Sequence, residues 1–272
     1  MNAVTESCAK AADKVRDICP LVHCITNYVT VNDVANCILA IGASPIMADD
    51  IAEAADITSI SKALVINMGT LNARTVESMV AAGKKANELG IPVVFDPVGA
   101  GASNLRNETA KRILENVKIG ILRGNLSEMS YLAGLEVSTK GVDTSEADEK
   151  NDPVSVAKKT AAKYNCVAAI TGAVDTITDG KRVARISNGH PYLSKVTGTG
   201  CMTTGLVASF AGASDDMYTA AVTGIASMGI AGEFAYEKAG EIGSGSFHIS
   251  IIDAISKMNS QVFAAKAKIE EV

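Results

Sequence analysis

Short unbroken apolar runs alternate along this chain with longer stretches whose apolar residues recur every three or four positions. Four of the runs, Ala63 to Asn67, Pro92 to Asp96, Ile119 to Arg123 and Val167 to Thr171, stay apolar up to a polar last residue. Such runs predict strands covered on both faces, as in a parallel sheet. The intervening Val31 to Ile41, Ile51 to Ser61, Leu71 to Leu89 and Pro153 to Tyr164 carry helical spacing and predict crossover helices. The expected class is therefore α/β, a doubly wound, mostly parallel sheet flanked by helices on both faces.

Local punctuation supports several boundaries. Thr70 precedes the helix from Leu71, Gly90 and Pro92 close it, and Asp152-Pro153 offers an N-cap followed by proline at the first helical position. Asp175 to Ile186 reads as two strands around an Asp-Gly turn, a small antiparallel hairpin near one sheet edge. After Cys201, apolar spacing predicts about three helical segments. Only Val137 to Asp152, with Asp143, Glu146, Asp148 and Glu149, reads as a polar surface loop, and it is too short to separate two domains. The chain is expected to form a single domain, and it contains no internal repeat.

Composition narrows the classes. The 272 residues are 47% hydrophobic with 23 Gly and no Trp, which suits a compact enzyme-sized protein. A net charge of -5 with scattered Lys and Arg disfavours nucleic acid as a partner. Six cysteines, at 8, 19, 24, 37, 166 and 201, show no C-x-x-C pair and read as reduced thiols. Met1 to Lys14 lacks the apolar segment of a signal peptide, and Ala220 to Ala231 falls short of a membrane span of about 20 residues. A cytoplasmic location with no membrane partner is expected.

In an open parallel sheet, ligands bind beyond the carboxyl ends of the strands. The residues there are Gly69-Thr70, Asp96-Pro97 with its glycine-rich continuation, Arg123-Gly124-Asn125 with Glu128, and Thr171-Gly172. Asp96 suits a hydrated Mg2+ or a turn cap. Glu128 suits a second metal carboxylate or a favourable first-turn charge. Arg123 needs an anion, either a phosphate or a carboxylate. Thr171-Gly172 suits phosphate or a cap.

Further on, Val196-Thr197-Gly198-Thr199-Gly200-Cys201 runs straight into a helical pattern. A glycine-rich turn opening a helix offers unpaired N–H groups and a positive dipole end to an anion, or is simply a structural turn. Cys201 stands where a helix terminus would stabilise a thiolate. His23 and His190 lack further ligands at useful spacing, and neither they nor His248 receives a role. No P-loop and no Gly-x-Gly-x-x-Gly unit is present, so phosphate handling must follow another scheme. An ATP-dependent kinase acting on a small alcohol fits these features.

From Pro20 to about Ala211, the chain resembles the hydroxyethylthiazole kinase family of the ribokinase-like superfamily. The matching segments are Pro20-Leu21-Val22-His23-Cys24-Ile25-Thr26-Asn27-Tyr28-Val29-Thr30, Gly42-Ala43-Ser44-Pro45-Ile46-Met47, Asp96-Pro97-Val98-Gly99-Ala100-Gly101, Arg123-Gly124-Asn125 with Glu128, and Thr197-Gly198-Thr199-Gly200-Cys201. The resemblance implies transfer of the ATP γ-phosphate to 4-methyl-5-(2-hydroxyethyl)thiazole with Mg2+, in thiamine biosynthesis or salvage. It assigns Met47, Asn27, Val29, Gly69 and Gly198 to the thiazole, and Arg123, Thr171, Asp96, Glu128 and Gly200 to ATP. Asp96 and Glu128 would organise the metal, and Cys201 would be the catalytic base, where sugar kinases of this fold usually place Asp. It further implies a homotrimer with pockets between subunits. Two alternatives remain on the same fold: an ATP-dependent dehydratase of hydrated nicotinamide cofactors, which would be expected to keep Asp at position 201, and a nucleotide-binding sensor without turnover.

Overall fold

A computed structural model describes residues 2–135 and 151–272. The strands are β1 Leu21–Ile25, β2 Ser44–Ile46, β3 Ala63–Asn67, β4 Val93–Asp96, β5 Ile121–Asn125, β6 Val167–Thr171, β7 Asp175–Thr178, β8 Val183–Ile186 and β9 Ile269–Glu271. The helices are α1 Ala3–Ile18, α2 Val31–Ile41, α3 Ala54–Ile60, α4 Ala73–Leu89, α5 Asn104–Asn116, α6 Leu126–Ala133, α7 Pro153–Tyr164, α8 Thr199–Ala211, α9 Met217–Ala239, α10 Ser244–Ser256 and α11 Ser260–Lys266. One sheet in the order β2-β1-β3-β4-β5-β6-β7-β8-β9 contains every described strand. The strands from β1 to β6 pair in parallel, and β7 to β9 add an antiparallel edge.

Both sheet faces are buried, which is why the central strands read as continuous apolar runs. Along β3, Ala63 and Val65 join a core shared with α1, α2 and α8 to α11, whereas Leu64 and Ile66 join a second core beneath α4 to α7. The period-two alternation sends successive side chains to opposite faces. Each fully buried Leu, Ile or Phe contributes roughly 1.5–3 kcal/mol, so the two cores together hold the strand ends rigidly.

Several boundaries follow the sequence and others shift: β5 runs two residues later than expected, which puts Arg123 inside the strand, and α3 starts at Ala54 instead of Ile51. Asp152 caps α7 by accepting from Ser155 N with Pro153 behind it, Gly90 closes α4 in the left-handed region, and Asp179-Gly180 turns the β7–β8 hairpin. The start of α4 is Asn72, whose side chain accepts from Thr75 N, and not Thr70; asparagine is the stronger cap. The predicted polar loop lies outside the described residues except for Asn151 and Asp152. Among the described residues, no helix is long and apolar enough to cross a membrane, and all six cysteines are free.

Chain order places the ligand end of the sheet. From β1 the chain moves outward to β2, then returns to β3 on the other side and continues through β6. The carboxyl ends of β1 and β3 thus flank a topological switch point, where crossovers diverge and leave a crevice. Register sets Asn67 beside Asp96 and Asn125 beside Thr171 on that edge.

Candidate active site

The polar strand ends meet the glycine-rich helix start in one hydrogen-bonded chain. Asn27, just after β1, donates through Nδ2 to Asn67 Oδ1 at 3.0 Å and to Cys201 Sγ at 3.3 Å. Asn67 Nδ2 in turn reaches Cys201 Sγ at 3.4 Å and Asp96 Oδ2 at 2.9 Å. Thr204, one turn beyond Cys201 on α8, donates to the same Asp96 oxygen at 2.7 Å. Arg123, in the middle of β5, stands 3.5 Å from Asp96 Oδ2 through Nη1 and donates to Thr171 Oγ1 at 2.7 Å through Nη2. A single relay therefore runs from Cys201 through Asn67 and Asp96 to Arg123 and Thr171.

Glycines allow this convergence. Gly198 caps α8 at φ +87°, and a Cβ there would lie 2.7 Å from Thr30 Cγ2. A side chain at Gly200 would meet Arg123 Nη1 at 3.0 Å. Among the described residues no side chain caps α8, which leaves its first-turn N–H groups for a ligand beside the guanidinium. Gly69 N donates to Asn67 Oδ1 at 2.9 Å, and its missing Cβ makes room for the Asn27 amide.

Glu128 organises the neighbouring loop. Asn125 and Glu128 form a capping box at the start of α6, and Glu128 Oε1 also accepts from Gly99 N at 2.7 Å. That bond ties the Asp96-Pro97-Val98-Gly99 turn to α6. Burial, followed by the charge of Asp96, pushes the Glu128 pKa up to about 7. The native state then binds this proton more tightly than the unfolded chain. Its stabilising contribution is complete below the unfolded carboxylate value and is lost as pH rises through about 7.

Asp175, raised to about 7 by burial, slopes the same way, and buried His23, pushed down by burial, slopes the opposite way. A difference between proteins isolates the Glu128 contribution. Between pH 5 and pH 7 the unfolding free energy of the parent should fall more steeply than that of Glu128→Gln, by roughly 1–3 kcal/mol in urea titrations. Parallel slopes would remove the raised carboxyl from the account.

The acid-base state of Cys201 differs from the expectation. Burial first, then the charge of Asp96, push its thiol up, against the lowering by hydrogen bonds from Thr30, Asn27 and Asn67. Asp96 itself is raised by burial and held down by Arg123, Thr204 and Asn67.

Beside this relay opens a cleft of 580 Å3 lined by Arg123, Thr171, Asp175, Asn188, His190 and Gly200 among others. The residues expected at the site thus divide. Asn27, Gly69, Asp96, Arg123, Thr171, Gly198, Gly200 and Cys201 gather at the relay, and Glu128 adjoins it through Gly99. Met47 is half-buried after the edge strand β2 and Val29 is exposed, with no hydrogen bond linking either to the relay among the described residues. Asn67, Thr204 and Asp175 join the site without having been expected there. Asn67 carried the same signal as Asp96, a polar end to an apolar strand, and Thr204 stands three positions after Cys201. His23 is satisfied by Thr58 and the Ala48 carbonyl, as a structural histidine.

Comparison with known proteins places this geometry in a class. A ribokinase-like superfamily protein from Enterococcus faecalis V583 shares the fold at a TM-score of 0.63 and 10% identity, over 92% of this chain and 95% of that one. The profile of the hydroxyethylthiazole kinase family matches residues 12–261. A hydroxyethylthiazole kinase of Ruminiclostridium cellulolyticum is 64% identical over the full length of both chains. The structure of a hydroxyethylthiazole kinase protein from Pyrococcus horikoshii OT3 superposes with a TM-score of 0.88 at 39% identity, over 97% of this chain and 98% of that one. The chain belongs to the hydroxyethylthiazole kinase family.

Proposed function

We propose that this chain, as a single catalytic domain in the cytoplasm, transfers the γ-phosphoryl group of ATP to the hydroxyl of 4-methyl-5-(2-hydroxyethyl)thiazole. The observation that carries the reading is the Asn67 amide, which bonds both Cys201 Sγ and Asp96 Oδ2 beside the open first turn of α8. The cleft takes the nucleotide, with Arg123, Thr171 and Gly200 at its phosphates. First-turn N–H groups of α8 receive the migrating phosphoryl group, whose transfer needs positioning and charge neutralisation more than covalent help.

Asn27, Gly69 and Gly198 face the alcohol. Met47 and Val29 fit a thiazole pocket completed by a second copy, which favours a homotrimer. The exposed apolar pair Tyr28 and Val29 beside the relay supports that arrangement.

The residues also suit Mg2+. Asp96 Oδ1 is buried without a hydrogen-bond partner among the described residues, and Glu128 lies close enough for the Asp96 charge to add to the burial that raises its pKa. Among the described residues no group of three or more His, Cys, Asp or Glu is assembled, so the ion would share its shell with phosphate oxygens and water. When bound, it neutralises phosphate charge.

The Cys201 thiol is raised by burial and by the Asp96 charge, so its thiolate is the minor form at neutral pH; that thiolate accepts a hydrogen bond from the substrate hydroxyl and takes its proton late, becoming the thiol. Incubation with ATP, Mg2+ and the thiazole alcohol, followed by mass detection of the phosphate ester, tests the reading directly; absence of ester refutes it. Cys201→Ala should keep measurable turnover with kcat lowered by about 10–100-fold, and should lose the rise in rate toward alkaline pH. Turnover equal to the parent would remove Cys201 as base while leaving the kinase in place.

A further inference from the structure

The segment joining β8 to α8 forms one wall of the cleft, and α9 holds it through a single stripe. Gly229, Gly232, Glu233 and Tyr236 recur at three- and four-residue steps and share one helix side. A Cβ on Gly229 would stand 2.7 Å from Asn188, and one on Gly232 would stand 2.7 Å from Leu193, so backbone and wall are in direct contact. Tyr236 stacks on His190 with ring centroids 3.6 Å apart. Between these contacts, Glu233 Oε1 accepts from Gly189 N at 2.9 Å, Asn188 Nδ2 at 3.1 Å and Lys268 Nζ at 3.1 Å.

Gly189 is held at φ +137°, a conformation that side chains rarely adopt. Asn188 is fixed further by the Lys266 carbonyl and Lys268 N. Asn188, Gly189, His190 and Leu193 all line the cleft, whereas Glu233 does not.

We infer that Glu233 is a positioning residue for the nucleotide: its carboxylate locks the 188–190 wall in place before ligand arrives, an inference that rests on the kinase reading of the cleft. A preformed wall spares the ordering cost that a loose strap would add on binding. The active part is acceptance from Gly189 N–H and the Asn188 amide, since the Lys268 ammonium is exposed to solvent, which screens its attraction for the carboxylate.

The test is ADP affinity by calorimetry, with KM measured separately for ATP and for the thiazole alcohol. Glu233→Ala should weaken ADP binding and raise the KM for ATP by about tenfold, leaving the KM for the alcohol unchanged. Glu233→Gln retains an acceptor oxygen and should restore most of the loss, and Lys268→Ala should bind ADP like the parent. Parent-like ADP affinity in Glu233→Ala, equal losses in the Ala and Gln variants, or a parallel rise in both KM values would each overturn the inference while the kinase reading stands. Failure of the parent itself to bind ADP would overturn both.

Discussion

Asp96→Asn is expected to lower kcat/KM for the thiazole alcohol by about 10³-fold while the protein still folds. The carboxylate is 1% exposed, and its Oδ2 is crowded by three donors: Asn67, Thr204 and Arg123. An asparagine oxygen can replace Oδ2, but its NH2 then occupies the position of the unpartnered Oδ1 and presents hydrogens where a cation or phosphate-bound water would need an acceptor. The reverse rotamer sets donor against donor at Asn67 and Thr204. Either way the negative charge opposite Arg123 disappears.

Stability should respond far less, because the opposing terms nearly balance. Losing the partner of a buried guanidinium is destabilising, yet the native carboxylate is itself disfavoured by burial, as its raised pKa shows. A melting shift of a few degrees, corresponding to about 1–2 kcal/mol, alongside a near-complete loss of turnover is the expected pair of results. A variant retaining activity within about tenfold of the parent would show that Asp96 only braces Asn67 and Thr204.

The architecture was legible wherever burial acted alone. β3, β4, β5 and β6 are apolar because helices cover both faces, and nothing else in their sequences competes with that signal. β1 escaped it because His23 and Cys24 interrupt the apolar run, although both are buried; His23 is tolerated through Thr58 and the Ala48 carbonyl. β2 is three residues long and contains Pro45, which an edge strand accepts. α5 has few buried side chains, Thr109, Ala110 and Ile113, so its periodicity is faint.

The site divided along the same line. Expected strand-end position singled out Asp96, Arg123 and Thr171; Asp96 and Thr171 do end β4 and β6, whereas β5 continues to Asn125 and Arg123 joins the site from mid-strand through its bond to Thr171. What the chain order hides is contact at long separation. Glu128 reads as a first-turn charge, and its bond to Gly99 N, 29 residues away, appears only when the Asp96 loop folds over α6. The Cys201 thiol follows the same logic. A helix terminus is visible in the sequence and argues for a lowered pKa, whereas the burial of the thiol and the nearby Asp96 charge, 105 positions earlier, are not visible and argue the other way.

Arg123→Ala should prove comparably damaging, with kcat/KM for ATP lowered by about 10³-fold. Its guanidinium is the cation that joins the cleft to the relay, bonded to Thr171 on one side and facing Asp96 on the other. Nε is buried and unpartnered among the described residues, which leaves donor capacity for a phosphate oxygen. Removing the side chain has a second consequence through Asp96. Arg123 is the largest influence opposing the burial that raises this carboxyl, so its loss should shift Asp96 further toward the protonated form.

Arg123→Lys separates charge from geometry. An ammonium keeps the attraction for Asp96 and for phosphate but cannot bridge Thr171 and a second acceptor with a planar fork. It should therefore recover part of the rate, with the KM for ATP remaining above the parent value. If the Ala and Lys variants lost activity equally, fork geometry alone would carry the effect. If Arg123→Ala bound ATP as the parent does and turned over at a similar rate, the phosphates would have to lie elsewhere in the cleft, and the relay from Cys201 to Thr171 would be a structural brace for the strand ends.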